Sequence, residues 1–95
     1  MTLEDLRASL SRDDPPSDLP ETVQALWHDA RGDWDRAHRI AQDIDGPDGS
    51  WVHAYLHRKE GDLSNASYWY RRAGRIQPRA TLEQEWEQIA NALLG

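Results

Sequence analysis

Apolar residues recur at helical spacing along nearly the whole chain, and no window alternates as a strand would. Leu3, Leu6 and Leu10 share one side of a first short helix over residues 3–11, with Thr2 and Asp5 placed to cap it. The stretch SRDDPPSDLP then breaks the pattern, because adjacent prolines cannot continue a helix. Residues 12–19 therefore read as a flexible linker. A second helix is expected over 20–31, with Pro20 in its first turn and Gly32 at its end. Asp33 is suited to cap a third helix over 34–44. After the loop DIDGPDGS, a fourth helix is expected from Ser50 to Glu60. Gly61 stops it, and Asp62 caps a fifth running to Ile76. Thr81 with Gln84 forms a capping box for a last helix over 80–94, whose Leu82, Trp86, Ile89, Ala90 and Leu93 fall on one face.

The helices come in related pairs. Shifted by 29 residues, VQALWHDARGDWDRAHRIAQ (23–42) aligns without gaps on VHAYLHRKEGDLSNASYWYR (52–71). Six positions are identical: Val23/Val52, Ala25/Ala54, His28/His57, Gly32/Gly61, Asp33/Asp62 and Ala37/Ala66. Chance would give about one, at average residue frequencies. Each unit is helix, Gly-Asp turn, helix, over about 20–44 and 50–77. Neither pair can bury its apolar side alone, so the two are expected to stack, with the last helix covering the second pair.

The second unit resembles a tetratricopeptide repeat. Ala66 and Tyr70 stand at the spacing of that family's A-x-x-x-F, followed by Ala73 and Pro78, and Gly61-Asp62 takes the place of its turn. The first unit keeps Ala25, Gly32-Asp33 and Ala37 but has Ala41 where the aromatic belongs. The resemblance spans residues 21–78 and implies an all-α protein of two stacked helix-turn-helix units. It also implies a surface that holds a protein or peptide partner. The first helices depart from the family. Its W-x-x-L-G-x-x-Y positions carry Ser50, His53, Ala54 and His57 here, and Glu21, Gln24, Ala25 and His28 in the other unit.

Composition narrows the function. The chain has 95 residues and a formal charge of −6, with its few basic residues scattered. That balance argues against nucleic acid as a partner. No apolar run approaches membrane length. The N-terminal stretch lacks the apolar centre of a secretory signal, so a cytoplasmic address is expected. The absence of cysteine removes disulfides and thiolate chemistry. Five tryptophans and no phenylalanine suggest that indoles form the core.

Three groups of residues are candidates for function. His53, His57 and Glu60 lie within about a 60° arc of one helix. That arc can bring two imidazoles and a carboxylate to one metal ion. The repeat places His28 at the counterpart of His57, and Arg58 stands alongside. The favoured reading is a buried polar network, with Gln24, Glu60 and Asn65 as hydrogen-bond partners. Ligand or metal binding is the alternative, and no resident cofactor is expected. Second, Arg71, Arg72 and Arg75 stand beside Tyr68 on the outer side of helix five, a guanidinium–aromatic pairing suited to recognition. Trp51 and Tyr55 are further candidates for partner contact. Third, DIDGPDG superficially resembles a calcium loop, but Pro47 occupies a ligand position, and Ala54 stands where the bidentate glutamate belongs. No nucleophile elbow, phosphate loop or H-E-x-x-H motif is present, so catalysis is not expected. The function expected is a small adaptor or self-associating module, a homodimer being one form of the latter. Leu3, Leu6 and Leu10 are expected to dock on the domain or on another chain.

Overall fold

A computed structural model describes residues 1–94. It contains six helices: α1 (Leu3–Ser9), α2 (Glu21–Ala30), α3 (Trp34–Gln42), α4 (Pro47–Glu60), α5 (Leu63–Arg72) and α6 (Leu82–Leu94). There is no strand among the described residues, and none of the described helices is long and apolar enough to cross a membrane. The protein is all-α.

The termini form where local chemistry favours them. Thr2 and Asp5 make a reciprocal capping box, Asp33 and Asp62 accept from Arg36 N and Asn65 N, and Thr81 exchanges hydrogen bonds with Gln84. The two Gly-Asp turns are alike in atomic detail. Gly32 and Gly61 take φ of 85° and 91°, a conformation open to glycine at little cost. The N–H groups of Asp33 and Asp62 reach back to the carbonyls of His28 and His57, both at 3.0 Å.

Two boundaries differ from expectation by three residues or more. α4 begins at Pro47 rather than Ser50, because Gly46 caps it and a proline is well accommodated in a first turn. α5 stops at Arg72, because Gly74 adopts a left-handed conformation and Arg75 N closes on Tyr70 O at 2.9 Å, the same helix-ending turn as at Gly32 and Gly61. In the early turns of α4, Gly49 packs onto Ile44 so closely that an added Cβ would overlap its carbonyl oxygen. Gly49→Ala should therefore destabilise the protein by about 1–3 kcal/mol despite alanine's better helix propensity. Urea midpoints of the two proteins check this, and an unchanged or raised midpoint would contradict it.

Helices α2 and α3 pair, α4 and α5 pair, and α3 joins the pairs by lying against α4. Small residues make close approach possible: Ala25, Ala37, Ala41, Ala54 and Ala66 are all buried. α6 does not simply extend the series past α5. It packs back across α4 and α2, carrying Trp86, Ile89 and Ala90 into the core. α1 rests on α6, with Leu6 buried and Arg7 paired with Glu87 and lying over the Trp86 ring. The three leucines thus serve the chain's own core, with Leu3 and Leu10 packed at its margin. The Pro/Asp segment is tied down rather than slack: Pro16 and Leu19 are buried, and Arg31 donates to the carbonyls of Leu10 and Arg12.

Trp27, Trp51 and Trp86 are core residues, whereas Trp34 and Trp69 are half-buried. Buried indole N–H groups need acceptors. Trp27 finds Ser9 Oγ at 3.1 Å, Trp86 finds Leu26 O at 2.9 Å, and Trp51 reaches Glu85 Oε2 at 3.4 Å.

Candidate functional site

Three imidazoles converge where α3, α4 and α5 meet. α4 supplies His53 and His57 one turn apart, both buried. α3, lying against α4, supplies His38, which is half-buried. Nε2 of His38 and Nε2 of His53 are 3.0 Å apart. The ring centroids are separated by 4.7 Å (His38–His53), 5.1 Å (His38–His57) and 4.8 Å (His53–His57). Two indoles brace the group. Trp34 stacks on His38 at 4.9 Å and donates its N–H to Leu56 O, while Trp69 of α5 stacks on His53 at 4.0 Å. His57 Nδ1 donates to Glu60 Oε2 at 2.6 Å.

Burial sets the protonation of this group. His53 is pushed down to about 4, first by desolvation and then by the neighbouring His38 and His57. His38 is also lowered, by desolvation ahead of the His57 charge. Both rings are therefore neutral at pH 7. The 3.0 Å contact then joins one N–H donor to one bare nitrogen.

The expected cluster differs in membership. His28 stays apart, edge-on to Trp27 with ring centroids 5.0 Å apart, and it is lowered by desolvation and by Arg36. Its equivalence to His57 within the repeat does not bring the two together. The cluster forms between α3 of one hairpin and α4 of the next, whereas the helix ahead of α2 is α1. His38 takes the third place. A signal for it exists in the sequence: Trp34, Ala37, His38 and Ala41 share one arc of α3, the arc that packs inward. Of the expected hydrogen-bond partners only Glu60 serves. Gln24 donates to Leu19 O, and Asn65 bonds Asp62.

Arg58, Trp51 and Tyr55 belong to the interior instead. Arg58 Nη1 donates to Glu85 Oε1 at 2.8 Å, and Arg58 also reaches Ala80 O. Glu85 is wholly buried, and its carboxylate also accepts from Trp51 Nε1 and from Tyr70 OH at 2.7 Å. Sequence reasoning missed this residue, since a glutamate in the first turn of an amphipathic helix reads as a dipole partner. Tyr55 is buried too and donates to Asp29 Oδ2 at 3.0 Å, while Lys59 holds Oδ1 at 2.9 Å. Burial, then the adjacent carboxylates, push both the Tyr55 and Tyr70 phenols far up, so each keeps its proton and donates it to a carboxylate. With Trp51 and Tyr55 enclosed, neither is available to a partner.

The outer face of α5 is open. Tyr68, Arg71 and Arg72 on α5 are exposed, as are Leu63 at its first position and Arg75 and Ile76 just past its C-terminal turn. Arg72 lies over the rings of both Tyr68 and Trp69 and donates to Tyr68 OH at 3.3 Å. Arg75 is stacked 3.4 Å above the Trp51 ring. A shallow groove of about 240 Å³ runs along Ser67, Tyr70, Arg71, Arg75, Ile76 and Gln77. From Leu63 to Ala80 the chain has four arginines and no acidic residue.

No protein-family model, curated protein or solved structure matches this chain.

Proposed function

We propose that this chain is a small non-enzymatic interaction module of tetratricopeptide-like architecture, which docks an acidic segment of a protein partner along α5. The observation that carries the reading is the α5 ridge. Arg71, Arg72 and Arg75 are concentrated there beside exposed Tyr68 and Ile76, in a chain whose net charge is −6. Guanidinium forks match carboxylates, and Tyr68 with Ile76, which is 91% exposed, offers apolar contact between the charges. The opposite side supports the same choice, since α6 covers the α2–α4 face that a helical repeat would otherwise offer to a partner.

Fluorescence anisotropy with a labelled peptide of alternating acidic and leucine residues tests the reading. Binding should weaken steeply as salt rises, because the ridge charges are exposed. The double variant R71E/R72E should bind at least tenfold more weakly with unchanged helicity, because both side chains are exposed. Equal affinity in wild type and variant would sink the proposal, as would no binding at low salt. Sizing over a range of concentrations separates a homodimer from a foreign partner. Self-association through the ridge would be lost in the same variant.

A further inference from the structure

We infer that His38, His53 and His57 form a binding site for a divalent transition-metal ion of the zinc class. One nitrogen from each ring lies within 4.8 Å of the other two. Tetrahedral ligands at a normal Zn–N length stand about 3.4 Å apart. The His38–His53 pair, at 3.0 Å, is already near that spacing. The His57 nitrogen, within 4.8 Å of the other two, has to close toward that spacing to join them.

The surroundings match what a metal ligand set requires. An imidazole must offer a bare lone pair, and the Nε2 atoms of His38 and His53 face each other at 3.0 Å, where only one of the two can carry a proton. In the ion-free protein the shortest imidazole contact holds one shared proton. For a cation to take both Nε2 lone pairs, the donor ring changes tautomer and carries its proton on Nδ1 instead. His57 has its Nδ1 engaged by Glu60, which leaves Nε2 as the ligand atom and makes the ring a better donor, the carboxylate–histidine arrangement common around zinc. Trp34 and Trp69 stack on two of the three rings and limit their rotation. His38 is half-exposed, which provides an entry path.

Three imidazole nitrogens and no thiolate favour Zn²⁺, Co²⁺, Ni²⁺ or Cu²⁺ over Mg²⁺ and Ca²⁺, which prefer oxygen. Three protein ligands also leave a fourth position for water or a small ligand. A neighbouring set, His57, Glu60 and Asp62, is the weaker arrangement. Its two acids are exposed, and Asp62 is occupied in capping α5.

The test uses the full chain freed of metal by chelation, titrated with ZnCl₂, CoCl₂ or MgCl₂. Zinc and cobalt should raise the melting temperature and magnesium should not, since an ion that binds only the folded state stabilises it. Bound cobalt should show the intense visible bands of a tetrahedral centre, and paramagnetically shifted imidazole N–H signals from three rings. His38→Ala, at the most exposed ligand, should lose zinc affinity by more than a hundredfold with helicity intact. Glu60→Gln should lose ten- to a hundredfold. No zinc-dependent shift in melting temperature would overturn the inference. So would zinc affinity unchanged in His38→Ala, which would place the ion elsewhere. If that variant fails to fold, the cobalt spectrum of the wild type decides, and fewer than three shifted rings would refute the site.

Discussion

Glu85→Ala should cost the fold about 3–5 kcal/mol, a large share of its stability. The carboxylate is 0% exposed and is the common acceptor for Trp51 Nε1, Arg58 Nη1 and Tyr70 OH. Removing it strands a phenol, an indole N–H and, above all, a guanidinium whose side chain is only 14% exposed. Breaking a buried ion pair from one side costs about 3–5 kcal/mol, because the remaining charge has no counterpart. A domain of this size has only about 5–14 kcal/mol of stability, at the usual range per residue. Urea unfolding followed by far-UV circular dichroism measures the loss. The cause is separable from simple loss of packing. In the double variant E85L/R58L no charge is left buried, so the double variant should recover much of what Glu85→Ala loses. A loss below about 1 kcal/mol in Glu85→Ala would show that water replaces the carboxylate.

The second large effect is on stability against pH. In the unfolded chain His53 takes up a proton near its ordinary value of 6.5, and in the folded protein only near about 4. Between these values the unfolded state binds the extra proton, so stability rises with pH. The contribution of His53 is fully present above about pH 6.5 and is lost as the pH falls toward 4. At about 1.4 kcal/mol per pH unit the whole window is worth about 3 kcal/mol, of which about 2 is lost by pH 5. The groups facing His53 act in the same sense: His38 and His57 are like charges when protonated, and the Trp69 face adds no charge. Glu60 opposes them only through His57 and His38. Urea midpoints at pH 7, 6 and 5 should fall in that order, in a range where most carboxylates stay ionised. In His53→Gln the slope should be markedly shallower. A wild-type profile that is flat from pH 7 to 5 would contradict the argument.

Both effects come from residues that the linear pattern treats differently. His53 and His57 were visible as an i, i+4 pair, because one helix carries both. His38 was hidden, because 15 residues and a loop separate it from His53. Its only trace was membership of the inward arc of α3. Glu85 was hidden for another reason. An amphipathic pattern marks polar residues as solvent-facing, and this glutamate is buried because α4 and α5 together bring it three donors. The expectation for His28 failed through reasoning by repeat. Equivalent positions in two units share local geometry, but the unit that precedes each differs.

The boundaries follow the same division. Asp33, Asp62, Thr81 and the glycines at 32 and 61 act within a few residues, so their effects were legible. Pro47 was misread as a turn residue because a proline suits a turn and a first helical position equally.

Local patterning was enough to read this protein as all-α, with α2–α3 and α4–α5 as related segments that each turn on Gly-Asp. Capping, glycine conformation and 3.6-residue periodicity are short-range effects, each set within a few residues of chain. Long-range packing settles the rest: α6 crosses back over α4 and α2, Glu85 and Arg58 meet inside, and His38 rather than His28 completes the imidazole cluster. Periodicity says which side of a helix is buried. Which helix buries it depends on how side-chain volumes and buried donors are satisfied across the whole core, and that is a property of the assembled chain.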